Sequence, residues 1–362
     1  MLKTKFNDKV VLVTGHTGFK GSWLSSILIK LGAKVIGISI DIPTNPSHFD
    51  FLRLSKKILS DNRFDINDYK KTFDLISKFK PDYIFHMAAQ PIVMESYKDP
   101  YKTFKTNFFG TLNILETLRV INYKCSCVII TSDKSYYNKE WVYGYKEDDR
   151  LGGKDPYSGS KASAEMVIQS YCESFFNNKS SKVKIGIGRA GNVIGGGDWA
   201  ESRIVPDCFK SYNKNKKVII RSPNSTRPWQ HVLEPLSGYL TLASKLENDQ
   251  INCESFNFGP SSNQNLTVLD LIKEIKLNYN DFKYEINESN NQKEAGLLKL
   301  NCDKALFYLD WLPTLTFKEN IKMTSDWYVN FYNKDKNSKS LTENQIEDYF
   351  NLSFVRKSFE IL

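Results

Sequence analysis

Apolar residues in the first half of the chain fall into short, nearly unbroken runs, and each run is succeeded by a stretch with helical spacing. Val10–Thr14 is such a run; a glycine-rich turn comes after it, and then a helical pattern over Ser22–Leu31. Lys34–Ile40 predicts a second strand, and Asp82–Met87, Cys127–Thr131 and Val183–Ile187 predict three more. Tyr69–Phe79, Thr103–Val120 and residues 157–176 predict the helices between them. In Thr103–Val120 the apolar positions include Phe108, Phe109, Leu112, Leu115 and Leu118, the recurrence expected of one buried helix face. Strands without polar alternation need cover on both faces, so the pattern predicts an α/β fold with a doubly wound parallel sheet.

Near residue 190 the pattern changes. Gly, Asn and Pro become frequent, strands become short, and helices at about 204–213, 232–247 and 267–278 are separated by loops. This predicts a smaller C-terminal lobe. The expected organisation is a dinucleotide-binding domain over 1–190 and a mainly substrate-binding lobe over 191–332, with some of its segments returning to the first domain. A tail over 333–362 completes it. Residues 333–342 are polar and Lys/Asn-rich and read as a linker; the remainder of the tail is weakly helical.

Composition narrows the partners. With 362 residues, of which 41% are hydrophobic, the chain can bury one large core and a smaller one. The formal charge of +9 is spread along the chain, which suits a small polyphosphate ligand at least as well as nucleic acid. No nucleic-acid partner is expected. The six Cys show no C-x-x-C pair and read as reduced thiols of a cytoplasmic protein, with no metal site. The apolar run near the N-terminus, Val10–Val13, is far shorter than a signal segment. No stretch approaches the about 18 apolar residues of a membrane span, so no membrane partner is expected.

The turn after the first strand reads Gly15-His16-Thr17-Gly18-Phe19-Lys20-Gly21. Glycines between a buried strand and a helix give a tight turn, let the backbone approach a pyrophosphate, and let helix and strand pack closely. The helix N-terminus then offers free N–H groups to the phosphates. Asp41 ends the second strand about 20 residues past Gly21, where a carboxylate bonds ribose hydroxyls and repels a 2′-phosphate. The expected cofactor is therefore NAD, in a sheet of the Rossmann type.

A second constellation is Tyr157 and Lys161, four apart at the start of a helix opened by Pro156. Spacing i, i+4 puts both on one face, and a nearby ammonium is expected to lower the phenol pKa and make a usable base. A third is Thr131-Ser132-Asp133-Lys134, an acid beside an amine where a core strand ends.

Together these segments resemble the extended short-chain dehydrogenase/reductases, enzymes that act mostly on nucleotide sugars. The segments are the G-x-x-G-x-x-G loop and Y-x-x-x-K with a Ser/Thr about 25 residues before its Tyr. His86-Met87-Ala88-Ala89-Gln90 and Thr106-Asn107-Phe108-Phe109-Gly110-Thr111 resemble two further segments of that family. The likeness covers about residues 8–330. Ser132-Asp133-Lys134 stands where the sugar 4,6-dehydratases carry Thr-Asp-Glu, and a Lys in place of that Glu resembles the branch acting on CDP-glucose. So do G-H-T-G-F-K-G-S-W-L (15–24), D-I-P-T-N-P-S (41–47), N-K-E-W-V-Y-G-Y-K-E-D-D (138–149), N-V-I-G-G-G-D-W (192–199) and R-P-W-Q-H-V-L-E-P (227–235).

The resemblance implies a nucleotide-sugar substrate and a division of labour. Tyr157, assisted by Lys161, would take the 4-hydroxyl proton while C4 gives hydride to NAD. Ser132, with Thr131 as the competing hydroxyl, would support the 4-hydroxyl. Asp133 would protonate the departing 6-hydroxyl, and Lys134 would remove the C5 proton. Gly15, Thr17, Gly18, Phe19, Lys20, Gly21, Asp41, Asp65, Ile66, Ala88, Ala89, Gln90, Asn107, Thr131, Tyr157 and Lys161 would contact the cofactor. Arg227 would bind the substrate pyrophosphate through its guanidinium fork, with Asn192, Arg203 and His231 as further substrate candidates. His231, Trp199 and Trp229 also suit packing or loop anchoring, Tyr136 and Tyr137 suit either substrate or core, and Cys125 and Cys127 read as core residues. A homodimer, or a tetramer, is expected, formed through the helices at about 103–120 and 157–176.

Overall fold

The computed structural model describes residues 2–261, 264–287, 297–333 and 338–359. Seven strands form one parallel sheet: β1 (Val10–Thr14), β2 (Lys34–Ser39), β3 (Ser60–Arg63), β4 (Tyr83–His86), β5 (Cys125–Ile130), β6 (Val183–Ala190) and β7 (Glu254–Phe258). Their spatial order is β7-β6-β5-β4-β1-β2-β3. The chain thus runs outward from β1 to β3, crosses back, and continues from β4 to β7. At that reversal the loops after β1 and β4 diverge and leave a crevice at the carboxyl ends of the strands.

The apolar runs are explained by cover on both faces. Val11 and Val13 join one core with Trp23, Leu24, Ile27 and Leu28 of the helix Phe19–Lys30 and Leu236 and Leu240 of the helix Leu233–Lys245. Leu12 joins a second core with Ile114, Leu115 and Leu118 of the helix Gly110–Val120 and Ile168 of the helix Pro156–Tyr171. β5 is buried along its whole length, and begins at Cys125, two residues before the expected start.

Three segments differ from expectation. The helix expected over Thr103–Val120 is broken into Pro100–Phe104, a π-helical turn Lys105–Phe109, and Gly110–Val120. The extra residue in that turn swings Asn107 inward, where its amide bonds the Gln90 backbone and Ser160 Oγ. β7 comes from the second half of the chain yet pairs in parallel with β6, Phe256 opposite Gly188. In the tail, a helix Ser338–Phe359 starts inside the expected linker, of which residues 334–337 lie outside the described residues. Ile346 and Tyr349 are buried, Thr342 Oγ1 accepts from Trp327 Nε1 at 2.9 Å, and the Tyr349 hydroxyl bonds Glu234 at 2.7 Å. Tertiary burial, not a strong local pattern, accounts for this helix.

Candidate active site

The crevice opens into a cleft of 2020 Å³. Single-ligand pockets span about 300–1,000 Å³, so this one has room for two.

One half is built on the glycine loop. Gly15 has φ +74°, and a Cβ there would lie 2.9 Å from Ala88 N; a Cβ on Gly21 would lie 2.1 Å from Gly15 O. The helix Phe19–Lys30 starts with Gly18 as its N-cap and has no side-chain cap, so its first N–H groups face the cleft. Thr17 Oγ1 donates to Asp41 O at 2.6 Å and ties the loop to the end of β2. Asp41, Asp65, Ile66, Ala88, Ala89, Gln90 and Thr131 line the cleft with Gly15, Thr17, Gly18, Phe19, Lys20 and Gly21. A cradle without Cβ atoms, an uncapped helix end and a carboxylate at the far strand fit a dinucleotide. Asn107 is a correction: it is 2% exposed, does not line the cleft, and acts by holding Gln90. Nothing in the sequence pattern pointed to the His16 ring, buried between Ser39 Oγ (3.0 Å) and Asp61 (2.9 Å) beneath the loop.

The other half holds the chemistry. β5 ends in a single 3₁₀ turn, Asp133–Ser135, capped by Ser132, whose Oγ accepts from Lys134 N at 3.2 Å. The same hydroxyl donates to Asp133 Oδ1 at 3.0 Å. Asp133 Oδ2 is buried without a hydrogen-bond partner among the described residues, and a Cβ on Gly191 would come within 3.0 Å of it. Burial raises the Asp133 pKa, against the pull of Lys134, the Ser132 bond and Lys20. Burial thus favours the protonated form of a carboxyl that lines the cleft. Lys134 also lines the cleft, its Nζ 6.0 Å from the centre of the Tyr157 ring.

Tyr157 and Lys161 enter from the helix Pro156–Tyr171, started by Asp155, which accepts from Ser158 N. The expected lowering of the phenol pKa is not seen. Burial pushes Tyr157 up to about 12, and Ser132 and Arg203 only partly oppose it. Burial also lowers Lys161 to about 8, so its ammonium charge is weakened where it was expected to act. Lys161 Nζ donates to Ile130 O, at the end of β5. Lys20 is lowered to about 7, first by burial and then by Arg203.

The helix carries a third member that the sequence motifs did not reveal. Glu165 lies four residues past Lys161, on the same stripe. It accepts from Arg189 Nε and Nη2, each at 2.7 Å, and from Thr131 Oγ1. Arg189 is fully buried on β6; an Arg directly after the apolar run Ile185–Gly188 was the signal for it.

Of the substrate candidates, Asn192, Arg203 and Arg227 line the cleft, and Arg203 is braced by Asp198 Oδ2 at 2.7 Å. His231 does not line it. It is fully buried, edge-on to Trp23, and burial lowers its pKa to about 3, so it is a neutral core residue. Trp199 packs on Phe331 with ring centroids 4.8 Å apart, and Trp229 is buried beside Pro228 while lining the cleft. Tyr136 is buried, bonded to Asn257 and Arg189, and also lines the cleft; the Tyr137 ring lies under Arg150. Cys125 and Cys127 are buried, and burial raises both thiols. No group of three or more His, Cys, Asp or Glu among the described residues is arranged to hold a metal.

A family model described as GDP-mannose 4,6 dehydratase matches residues 12–324. The chain is 45% identical over 332 residues to CDP-glucose 4,6-dehydratase of Salmonella typhimurium, covering 90% of this chain and 92% of that one. It is 26% identical to CDP-paratose 2-epimerase of Salmonella typhi, covering 88% and 98%. Among solved structures, dTDP-glucose 4,6-dehydratase of Bacillus anthracis in complex with NAD superposes with TM-score 0.72 at 21% identity, covering 89% of this chain and 97% of that one. UDP-glucose-4-epimerase of Stenotrophomonas maltophila superposes with TM-score 0.79 at 20% identity, covering 90% and 99%; at these identities the two structures speak to the fold alone.

The Glu165–Arg189 pair generates an expected outcome. Arg189→Met strands a buried carboxylate, which costs about 3–5 kcal/mol. Urea unfolding should show that loss in full, and a variant as stable as the parent would mean the pair does not hold the helix.

Proposed function

The chain belongs to the GDP-mannose 4,6-dehydratase family, and from that premise we propose that it is a NAD-dependent dehydratase converting CDP-D-glucose to CDP-4-keto-6-deoxy-D-glucose, for deoxysugar and surface-polysaccharide synthesis. The observation that carries this reading is Asp133: a buried carboxyl with a raised pKa and a free oxygen, in the same cleft as Tyr157 and beside Lys134. Exchange of configuration at C4 needs a base near a hydroxyl. Expulsion of water needs an acid and a second base as well, and this strand end carries candidates for both. The likeness to the Salmonella CDP-glucose 4,6-dehydratase favours CDP as the nucleotide and glucose as the sugar.

In this reading the glycine-loop N–H groups hold the pyrophosphate of NAD, Asp41 its adenosine ribose, and Lys161 with Tyr157 its nicotinamide ribose. Thr17, Phe19, Lys20, Asp65, Ile66, Ala88, Ala89, Gln90 and Thr131 complete that half. When bound, NAD takes a hydride from C4 and returns one to C6. Tyr157 accepts the 4-hydroxyl proton. Its pKa of about 12 in the open cleft means the phenolate must be favoured as the site fills, and Ser132 and Arg203 already act in that direction. Lys134 takes the C5 proton, made acidic by the 4-ketone, and Asp133 protonates the departing 6-hydroxyl. Arg203, Arg227 and Asn192 receive the nucleotide diphosphate and sugar.

We also infer a cytoplasmic homodimer. The free thiols suit a reducing compartment, and no helix among the described residues is long and apolar enough to cross a membrane. Phe104, Phe109, Met166 and Phe175 are large apolar residues left exposed on the segments expected to pair.

Offered CDP-, UDP-, dTDP- and GDP-linked hexoses, the protein should form a 4-keto-6-deoxy product from CDP-glucose. Turnover only of UDP-galactose, without loss of water, would overturn the reading. Lys134→Met should keep C4 oxidation but block exchange of C5 hydrogen with deuterated solvent by about 10²-fold or more; exchange at the parental rate would assign the base elsewhere. Sedimentation should give twice the chain mass, and Met166→Glu should lower it to the chain mass; a parent that sediments as a monomer would refute the dimer.

A further inference from the structure

The C-terminal helix Ser338–Phe359 lies beyond the stretch that the family model matches, which ends at residue 324. None of its described residues lines the cleft. Its Thr342 is nonetheless joined to the cofactor half by a continuous line of hydrogen bonds. Trp327 Nε1 and Thr342 Oγ1 are 2.9 Å apart, and Thr342 Oγ1 and His48 Nε2 are 3.1 Å apart. His48 Nδ1 and Ser22 Oγ are 2.8 Å apart, and Ser22 Oγ donates to Phe19 O at 2.9 Å. Trp327, Thr342, His48 and Ser22 are all buried.

The direction of this line follows from its protons. An indole N–H only donates and a carbonyl only accepts, so Thr342 Oγ1 receives from Trp327 and Phe19 O receives from Ser22. A hydroxyl has one proton to give. Ser22 gives its own to Phe19 O, so it receives from His48 Nδ1. Thr342 gives its own to His48 Nε2. His48 thus carries its proton on Nδ1, the one tautomer in which every proton of the line meets an acceptor. Burial keeps the ring neutral, with its pKa lowered to about 3. In the other tautomer the bare Nδ1 would compete with Phe19 O for the Ser22 proton, and the Thr342 proton would be left without an acceptor.

The ring has no room to turn away from its partners. It stacks on Trp23 with centroids 4.9 Å apart and meets Trp327 edge-on at 5.6 Å. Above it lies Gly197, where a Cβ would come within 2.6 Å of the ring. Ser22 stands in the helix Phe19–Lys30, and its bond to Phe19 O braces the first turn, whose free N–H groups face the cleft.

We propose that Thr342 is a positioning residue for NAD: by fixing the His48 tautomer it keeps the Ser22 hydroxyl on Phe19 O, and so holds the first turn of the glycine-loop helix in the shape that receives the pyrophosphate. The C-terminal helix is thereby a working part of the cofactor site. The inference rests on the NAD half of the proposed function and adds to it a source of cofactor affinity outside the cleft.

The test is titration calorimetry of NAD into the full-length chain, at a temperature where near-ultraviolet circular dichroism shows parent and variants folded. Thr342→Val keeps the side-chain volume but neither receives from Trp327 nor donates to His48. It should weaken NAD binding about tenfold, the change that one lost hydrogen bond to a buried partner makes. Thr342→Ser keeps the hydroxyl and should bind NAD as the parent does. Tyr349→Phe removes the bond to Glu234 two turns further along the same helix; it should lower the urea midpoint and leave NAD affinity unchanged. Parental NAD affinity in Thr342→Val would overturn the proposal. Equal weakening in Tyr349→Phe would do so as well, because loosening of the whole helix, and not the His48 line, would then set the affinity. A parent that binds no NAD would remove the cofactor reading, and the proposal with it. The titration uses no sugar, so its result is independent of whether CDP-glucose is dehydrated.

Discussion

The candidate site depends on one buried ion pair. All five N–H donors of Arg189 are used: Nε and Nη2 on the Glu165 carboxylate, Nη1 on the Tyr136 hydroxyl and Glu147 O, and Nη2 also on Ser255 Oγ. These partners come from the helix that carries Tyr157 and Lys161, from the loop after β5, and from β7. A guanidinium fully out of water is tolerable only when its geometry is complete, and here it is. Glu165 also receives Thr131 at the end of β5. The pair therefore fixes the rotation of the helix against the strand whose end carries Asp133. It thereby sets the spacing between a phenol and a carboxyl from distant parts of the sequence.

On that frame, burial sets the chemistry. The same desolvation that raises Tyr157 and Asp133 lowers Lys161 and Lys20. In each case burial disfavours the charged form, so the acids shift toward their protonated forms and the amines toward neutrality. This inverts the simple expectation that Lys161 makes Tyr157 a phenolate on its own. The ammonium must first be charged, and cations near the phenol must offset the burial that disfavours its anion. Arg203 is the cation that already acts on the phenol, and it is braced by Asp198, a contact made across only five residues of loop.

Much of the frame was legible in the sequence because its causes are local. An apolar run covered on both faces, a glycine where a Cβ would strike a carbonyl, and a Tyr and Lys one helical turn apart each carry their reason within a few residues. The illegible features depend on partners far away. The π-helical turn at Lys105–Phe109 exists so that Asn107 can meet Gln90 and Ser160, and nothing within the turn says so. The helix Ser338–Phe359 reads as linker at its start and as only weakly helical beyond residue 342 until Trp327, His48 and Glu234 are set against it. His231 sits in one motif with Arg227 and Trp229, which line the cleft, yet the strand pairing of Gln230–His231 with Val193–Ile194 turns it into the core. Glu165 was legible in principle, as the next residue on the Tyr157/Lys161 stripe.

In the proposed dehydratase reading, the strand end at Thr131–Lys134 is where one fold would serve both oxidation and elimination. Oxidation at C4 asks for a phenol, an amine and a hydroxyl, and these need only the helix and the last residues of β5. Elimination adds an acid that must stay protonated near neutral pH, which requires a carboxyl with water kept away from it. Gly191 and Pro228 provide that exclusion: the backbone of Gly191 lies close enough to Asp133 Oδ2 that a Cβ would come to 3.0 Å, and the same Cβ would come to 2.7 Å from Pro228 Cγ. The segments carrying them leave the sheet after β6 and bring Asn192 and Arg227 to the cleft as well. The wall formed by Gly191 and Pro228 against Asp133 is thus continuous with the stretch of cleft lined by Asn192 and Arg227, and two segments well separated in sequence build it together.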